Sequence, residues 1–253
     1  MNDYSNYDSD VFSCTYEGQT AVIFFKSESF IMAMNATKMH ELLECLNAIE
    51  VDPDIKGVLT MHAAEYERVS MTKAFIKSIQ DKPGYVQKEM GVTRYGNAVK
   101  RLTLAINEFS KPSVVGIHGQ VAIDSFGYFL ACDHRVATKC LSIEFPSLEL
   151  GIVPAGAVSL FMSRQLGATK TLQVLMSGKT ILAEEAESLC LVSELATKED
   201  LKAKCLAKLE EFYKVPGSST LNLTKQLVRP KTHELEEHFE MSSRLMWNSI
   251  IDN

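Results

Sequence analysis

The sequence predicts an α/β fold in which strand–helix–strand units precede a helical carboxyl-terminal region. Residues 113–118 are apolar and β-branched, which predicts a buried strand, and the apolar residues of 124–131 recur at helical spacing directly after it. Near the start of the chain, strands are predicted at 20–25 and 55–61 with a helix between them, an order that favours parallel pairing through a crossover. Further helices are predicted at 198–212, 218–227 and 234–251.

The amino-terminal segment contains one hairpin signal and one helix signal. Residues 1–10 are expected to form a loose tail, and the runs 11–16 and 20–25 flank Glu17-Gly18 as in a strand–turn–strand hairpin. Asn35 is placed to cap the next helix. The apolar positions of that helix recur at steps of three and four: Met39, Leu42, Leu43, Leu46 and Ile49.

The central segment mixes clear and weak patterns. A helix is predicted at 69–79, ended by Lys82-Pro83-Gly84, and another at 95–109. The stretch 85–93 between them is polar and is expected to be irregular. After the buried strand, the sequence predicts strands 134–138, 141–145 and 190–195, a loop 147–154, and helices 158–166, 170–176 and 183–189.

Composition excludes several function classes. With 253 residues, 46% apolar and 23% charged, the chain fits one large domain or one domain with a helical appendage. A net charge of −6 gives no reason to expect binding to nucleic acid or to an anionic membrane. No apolar run approaches the ~18 residues of a membrane span. The amino terminus MNDYSNYDSD is the reverse of a secretory signal, so a cytoplasmic protein is expected.

The six cysteines predict free thiols. They are scattered at positions 14, 45, 132, 140, 190 and 205, mostly in apolar contexts and without CxxC spacing. This pattern favours buried thiols in a reducing compartment over disulfides or a zinc site, so no metal is expected.

The strand at 113–118 and the helix after it suggest a site for negative charge. A strand that leads into a helix amino terminus directs unpaired backbone N–H groups at one point, the construction of an oxyanion hole. Asp124 or Ser125 is placed to cap this helix. His118 ends the strand, where packing beside the turn and catalysis are both open roles for it.

The segments KPSVVGIHG, ACD, HRVAT, LELGIVPAG and RQLGATKTLQVLMSGKTILAEEAESLCLVSEL together resemble the crotonase (enoyl-CoA hydratase/isomerase) superfamily. The resemblance covers nearly the whole chain. It implies a ββα-superhelix, the spiral core of the ClpP/crotonase fold, over residues 1–195, and a helical trimerisation region over 196–253. The runs TLNLTKQLVRP and HELEEHFEM look nearest to crotonases of polyketide β-branching cassettes.

The resemblance also implies a reaction on an acyl thioester. The substrate would be carried by CoA or by the phosphopantetheine of a carrier protein, with no other cofactor. Two main-chain N–H groups, near Arg68 and at Asp124, match those that stabilise the enolate oxygen in the family. The candidate substrate-binding residues around these turns are Tyr66, Ser70, Ser125 and Ser147.

The catalytic carboxylates of the family are replaced in this sequence. The two glutamate positions match Gly127 and Ser147, and a third acidic position matches Ala155, so none offers an ionisable side chain near neutral pH. Three other residues are catalytic candidates, each with a competing structural role. They are Asp124 (or a helix N-cap), Glu149 (or a salt-bridge partner) and His62 (or part of a polar surface loop).

Three functions stay open from the sequence. The first is an enzyme on a CoA or carrier-protein thioester, of lyase or isomerase type, such as a decarboxylase, which needs an oxyanion hole but no glutamate pair. The second is a hydrolase in which Asp124, Glu149 or His62 activates water. The third is a non-catalytic subunit of the same fold. The resemblance implies a homotrimer or a hexamer in each case.

Overall fold

The computed structural model describes residues 4–26, 36–62 and 68–252. The strands are β1 Asn6–Asp8, β2 Phe12–Glu17, β3 Thr20–Phe25, β4 Gly57–His62, β5 Ser113–Ile117, β6 Gln120–Ala122, β7 His134–Thr138, β8 Ser142–Glu144, β9 Ile181–Leu182 and β10 Glu194–Ala196. Seven of them form one sheet in the order β1-β2-β3-β4-β5-β7-β10, and a three-stranded sheet has the order β6-β8-β9.

Helices lie between and after these strands. They are α1 Ala36–Val51, α2 Arg68–Gln80, α3 Tyr85–Glu108, α4 Phe126–Ala131, α5 Pro146–Glu149, α6 Val158–Leu166, α7 Ala168–Ser177, α8 Ala183–Ser188, α9 Leu201–Tyr213, α10 Ser218–Val228 and α11 Thr232–Ile251. A 3-10 turn at Ile123–Ser125 joins β6 to α4. Asn35, the proposed cap of α1, lies outside the described residues.

Pairing in the large sheet confirms the predicted α/β class. The strands β2 and β3 form the expected antiparallel hairpin, with Phe12 opposite Phe25. From β3 onward the pairs β3–β4, β4–β5, β5–β7 and β7–β10 are parallel. Every residue of β4 and β5 is buried, as expected for parallel strands covered on both faces.

Helices pack on the large sheet and against one another. The apolar face of α9, formed by Leu201, Cys205 and Leu209, packs on the strands that carry Leu59 and Val114. A second cluster joins α3 to α11 and also holds Ile152 and Ala155, which belong to the segment after α5. The domain boundary at residue 195 stays a prediction, while α9, which follows it, packs directly on the sheet.

Two expectations from the sequence are wrong in the amino-terminal half. Residues 4–10 are not a loose tail, because β1 pairs with β2 and Tyr4 is buried with its ring 5.2 Å from that of Tyr7. Residues 85–93 are not irregular but begin the 24-residue helix α3. Gly91 and Val92 are buried there, and an added Cβ on Gly91 would lie 2.9 Å from Ile79, so tertiary packing supports this turn of helix.

Two smaller expectations also need correction. The loop predicted at 147–154 begins inside the one-turn helix α5. The strand predicted at 190–195 occupies only Glu194–Ala196, because Cys190 adopts a left-handed φ of 55° and the chain turns there.

The described cysteines are all free thiols, and four of them, Cys14, Cys45, Cys132 and Cys205, are buried. Within residues 4–26, 36–62 and 68–252, no helix is both long and apolar enough to cross a bilayer. Over the same ranges, no group of three His, Cys, Asp or Glu side chains is arranged to hold a metal ion.

Candidate active site

Asp124 lies at the centre of the candidate site, in the 3-10 turn between β6 and α4. Its side chain is buried, with 1% of its surface exposed. Oδ1 accepts a hydrogen bond of 3.0 Å from the backbone N–H of Ala155, and Oδ2 accepts one of 3.0 Å from the hydroxyl of Ser147. The carboxyl group therefore joins the 3-10 turn to α5 and to the segment after α5, 23 and 31 residues further along the chain.

Burial dominates the electrostatics of this carboxyl group. Removal from water raises the pKa of Asp124, because the charged form loses its hydration. Hydrogen bonds from the N–H of Ala155 and the hydroxyls of Ser147 and Tyr95 oppose this by lowering the pKa, and the N–H of Asp124 itself adds a smaller effect. The opposing contacts stabilise a carboxylate that would otherwise be expensive to bury.

Ser125 occupies the predicted N-cap position of α4, but the expected capping hydrogen bond from a side chain is missing. Neither the Asp124 nor the Ser125 side chain makes a capping hydrogen bond to the 3-10 turn or to α4. The Asp124 carboxyl instead bonds Ala155 and Ser147, so the start of α4 is not blocked by a capping side chain. Ser125, a proposed substrate contact, is partly buried beside it.

Main-chain atoms fill the space next to Gly127. A Cβ added to Gly127 would lie 1.5 Å from the carbonyl oxygen of Gly156, and a Cβ added to Gly156 would lie 2.4 Å from the carbonyl oxygen of Asp124. Gly156 also has a φ of +80°, a conformation that favours glycine. The turn at Asp124 and the segment 151–157 thus pack backbone against backbone, which leaves no room for a side chain at position 127.

His62 occupies a different environment from the one predicted for it. It is the last residue of β4, has 2% of its surface exposed, and does not form part of a polar surface loop. Its ring stacks on Phe25 at 4.8 Å and meets the edge of Phe129, and the Tyr128 hydroxyl hydrogen-bonds to its Nε2. His62 is thus held within an aromatic cluster of the core.

The structure separates the remaining candidates. Glu149 is exposed on α5 and forms a salt bridge with Lys73 of α2, as the competing structural role required. Ser147 is fully buried against Asp124, whereas Ser70 is exposed on α2. Tyr66 lies outside the described residues.

The two turns expected to form the oxyanion hole belong to neighbouring elements. Arg68 is the first residue of α2, and its side chain is not among the parts of the chain that the structure describes. Helix α2 contacts both β6, which leads into Asp124, and α5, which carries Ser147. Tyr95 and the Ala155 N–H were not predicted as partners of Asp124. They lie 29 and 31 residues away from it, and no short-range sequence pattern links residues at such separations.

Superposition on solved structures identifies the class of fold. An enoyl-CoA hydratase from Bacillus halodurans superposes with a TM-score of 0.79 at 20% identity, covering 94% of each chain. An enoyl-CoA hydratase/isomerase from Pseudoalteromonas atlantica T6c superposes with a TM-score of 0.74 at 19% identity, covering 95% of this chain and 91% of that one. These likenesses confirm the predicted crotonase fold.

Sequence comparison then gives the family. Residues 16–252 match the family model described as enoyl-CoA hydratase/isomerase, so the chain belongs to that family. A Bacillus subtilis relative named "Probable enoyl-CoA hydratase" is 26% identical over 216 residues, 84% of this chain and 80% of the relative. The "Fatty acid oxidation complex subunit alpha" of Pseudomonas savastanoi is 27% identical over 182 residues, 72% of this chain but 24% of that protein.

Proposed function

We propose that the protein is an acyl-thioester lyase of its family that forms an enolate by loss of a carboxylate group, not a hydratase. The observation that carries this proposal is the contact between Gly127 and the Gly156 carbonyl, which occupies the place where the resemblance puts a catalytic glutamate. Asp124, His62 and Glu149 are each engaged in other contacts, which supports a reaction without an acid–base pair.

Decarboxylation places few demands on ionisable side chains. The bond between the α-carbon and the carboxylate breaks, carbon dioxide leaves, and the electron pair moves onto the thioester oxygen. Main-chain N–H groups at Arg68 and Asp124 are the proposed donors to that oxygen, with the Asp124 N–H leaving its own carboxyl group when the thioester binds. Stabilising charge that develops in the transition state lowers the barrier. The enolate then takes a proton from water at its α-carbon. CoA or phosphopantetheine enters only as part of the substrate.

Asp124 acts in this proposal as a positioning residue. Its carboxylate holds the Ala155 N–H and the Ser147 hydroxyl, and so fixes the segment 151–157 against the turn that carries its own N–H. A carboxylate with both oxygens engaged and 1% exposure is poorly placed to exchange a proton with substrate.

The test compares two thioesters that differ in the chemistry they require. Purified protein is incubated with malonyl-CoA and with crotonyl-CoA, and with the same acyl groups on a carrier protein, and the products are identified by mass spectrometry. The proposal expects acetyl thioester from the malonyl substrate and no 3-hydroxybutyryl product from crotonyl-CoA. Hydration of crotonyl-CoA as the principal activity would contradict it.

A second candidate function is a non-catalytic binding subunit. The backbone packing between Gly127 and Gly156 favours it as well, because a filled site can retain a fold while losing a reaction. Saturable binding of a thioester in calorimetry without turnover would support this candidate over the enzyme, and absence of both would contradict both. The expected trimer or hexamer is tested by sedimentation, and the exposed Leu223, Leu227 and Val228 of α10 support such an assembly.

A further inference from the structure

A thiol, an imidazole and a hydroxyl meet at the end of the large sheet, apart from the Asp124 contacts. The Sγ of Cys140 lies 3.2 Å from Nδ1 of His118 and 3.1 Å from Oγ1 of Thr138. The third side of the triangle, from Thr138 Oγ1 to His118 Nδ1, is 2.9 Å. All three atoms are therefore mutually within hydrogen-bond reach.

Strand pairing builds this cluster. Parallel register places Ile117 of β5 beside Ala137 of β7, so the next residues along each strand, His118 and Thr138, also lie side by side. The chain then turns back, with the Leu141 N–H bonded to the Thr138 carbonyl at 2.9 Å, and Cys140 lies within that turn. Thr138 is buried with 2% exposure, His118 is partly buried and Cys140 is exposed. A rigid base thus lies behind a thiol that solvent can reach.

One arrangement of protons makes the sulfur a thiolate and still gives each of the three groups a hydrogen-bond partner. If the thiol proton moves to Nδ1 of His118, that N–H can donate to Thr138 Oγ1, whose own hydroxyl hydrogen donates to the sulfur. A thiolate beside an imidazolium is the nucleophilic form of cysteine. Burial raises the pKa of both Cys132 and Cys205 to about 12, so these two thiols stay protonated near neutral pH.

We propose that Cys140 is a nucleophilic thiol, activated by His118, that accepts acyl groups from thioesters. The Cys140 thiol gives its proton to His118 as the sulfur attacks the thioester carbonyl. A new carbon–sulfur bond forms, the original one breaks, and His118 returns the proton to the departing thiol. No oxidant or reductant takes part. The choice of electrophile rests on the acyl-thioester chemistry proposed above, but this transfer does not require turnover at the Asp124 site.

Cys190 provides a matched control within the same chain. It is the other exposed cysteine in the described ranges. Its carbonyl oxygen accepts hydrogen bonds from Arg135 and Gln165, and its N–H donates to the Glu187 carbonyl oxygen. Limited alkylation of the folded protein with iodoacetamide, followed by peptide mass spectrometry, gives a separate rate for each thiol. A neutral thiol is only a few per cent thiolate at pH 7, so activation is expected to make Cys140 about tenfold faster than Cys190.

The variant His118→Asn tests whether the imidazole causes the difference. We expect the alkylation rate of Cys140 to fall to that of Cys190, while the rate of Cys190 is unchanged. The four buried thiols report unfolding in the same sample, and Thr138→Val provides a second variant that removes one donor to the sulfur. Equal rates for Cys140 and Cys190 in the unaltered protein, or no effect of His118→Asn in a folded variant, would overturn the proposal.

Acyl transfer is then measured with acetyl-CoA as the probe. The expected product is an acetyl group on the Cys140 peptide that hydroxylamine removes, absent from Cys190 and strongly reduced in His118→Asn. A fast-alkylating Cys140 that gains no acetyl group would overturn the acyl-transfer part of the proposal. Because Cys140→Ser is expected to leave the decarboxylation of malonyl-CoA unchanged, failure here is distinguishable from failure of the proposed lyase function.

Discussion

Replacing Gly127 with alanine should destabilise the fold because the backbone of Gly156 occupies the position of the new methyl group. The Gly156 carbonyl oxygen would have to move by about 1.5 Å to reach a tolerable separation of 3.0 Å from the added Cβ. That movement strains a tightly packed site and pulls on the hydrogen bond between the Ala155 N–H and Asp124. Overpacking and the loss of a buried, charged hydrogen bond both destabilise the protein, and the higher helix propensity of alanine offsets part of this. Together these effects should lower the free energy of unfolding by about 3 kcal/mol.

The assay is urea unfolding followed by circular dichroism at one fixed protein concentration. Gly96→Ala is the matched control, because Gly96 lies inside α3 and its added Cβ would meet only the Ser243 hydroxyl, at 2.9 Å. That flexible side chain can move, so this control should be neutral or gain up to about 1 kcal/mol. Equal stabilities of Gly127→Ala and the unaltered protein would refute the inference that main chain fills this part of the site.

Two further predictions concern the carboxylates of Asp124, which is buried, and Asp133, which is partly buried. Asp124→Ala should lower the free energy of unfolding by about 1–3 kcal/mol, because it leaves the Ala155 N–H and the Ser147 hydroxyl without their hydrogen-bond acceptor. Since burial raises the pKa of Asp124 above its usual 3.8, its contribution is fully present below that pH and declines as pH rises through the folded-state pKa. The stability of the unaltered protein relative to Asp124→Asn, measured by urea unfolding, should therefore fall as the pH rises above 3.8, and a constant difference would contradict this. Asp133→Ala should lower the free energy of unfolding by about 3–5 kcal/mol. The substitution removes the carboxylate that lies 2.9 Å from Lys225 and 2.7 Å from Arg229, and both of these cations are largely buried. Glu17→Gln, which breaks an exposed pair with Lys202, should change stability by less than about 1 kcal/mol, and similar losses for both variants would contradict the burial argument.

Much of the fold could be predicted because short-range patterns determine it. The apolar positions Met39, Leu42, Leu46 and Ile49 are all buried on one face of α1, as their three- and four-residue spacing indicated. The continuous apolar run at β5 is likewise buried throughout. In such segments the spacing of the apolar residues matches the face that is buried in the fold, so the sequence alone is sufficient to predict the element.

The remainder depended on contacts between distant residues. A local rule made Asp124 a helix cap, but its carboxyl found Ser147 and Ala155, 23 and 31 residues later. His62 looked like part of a polar loop because its aromatic neighbours Phe25 and Tyr128 are far away in sequence. The contacts of Asp124 and His62 therefore could not be predicted from the sequence, whereas a salt bridge of Glu149 was one of the two roles that the sequence left open.

The most direct test of the central proposal observes the thioester carbonyl itself. A substrate analogue carrying a ¹³C-labelled thioester carbonyl, and unable to decarboxylate, is bound to the protein and its stretching frequency is measured by difference infrared spectroscopy. Donation from two main-chain N–H groups weakens the carbon–oxygen double bond, so we predict a band at lower frequency than in water. A bound analogue whose carbonyl band is unshifted, or shifted to higher frequency, would contradict enolate stabilisation by this fold.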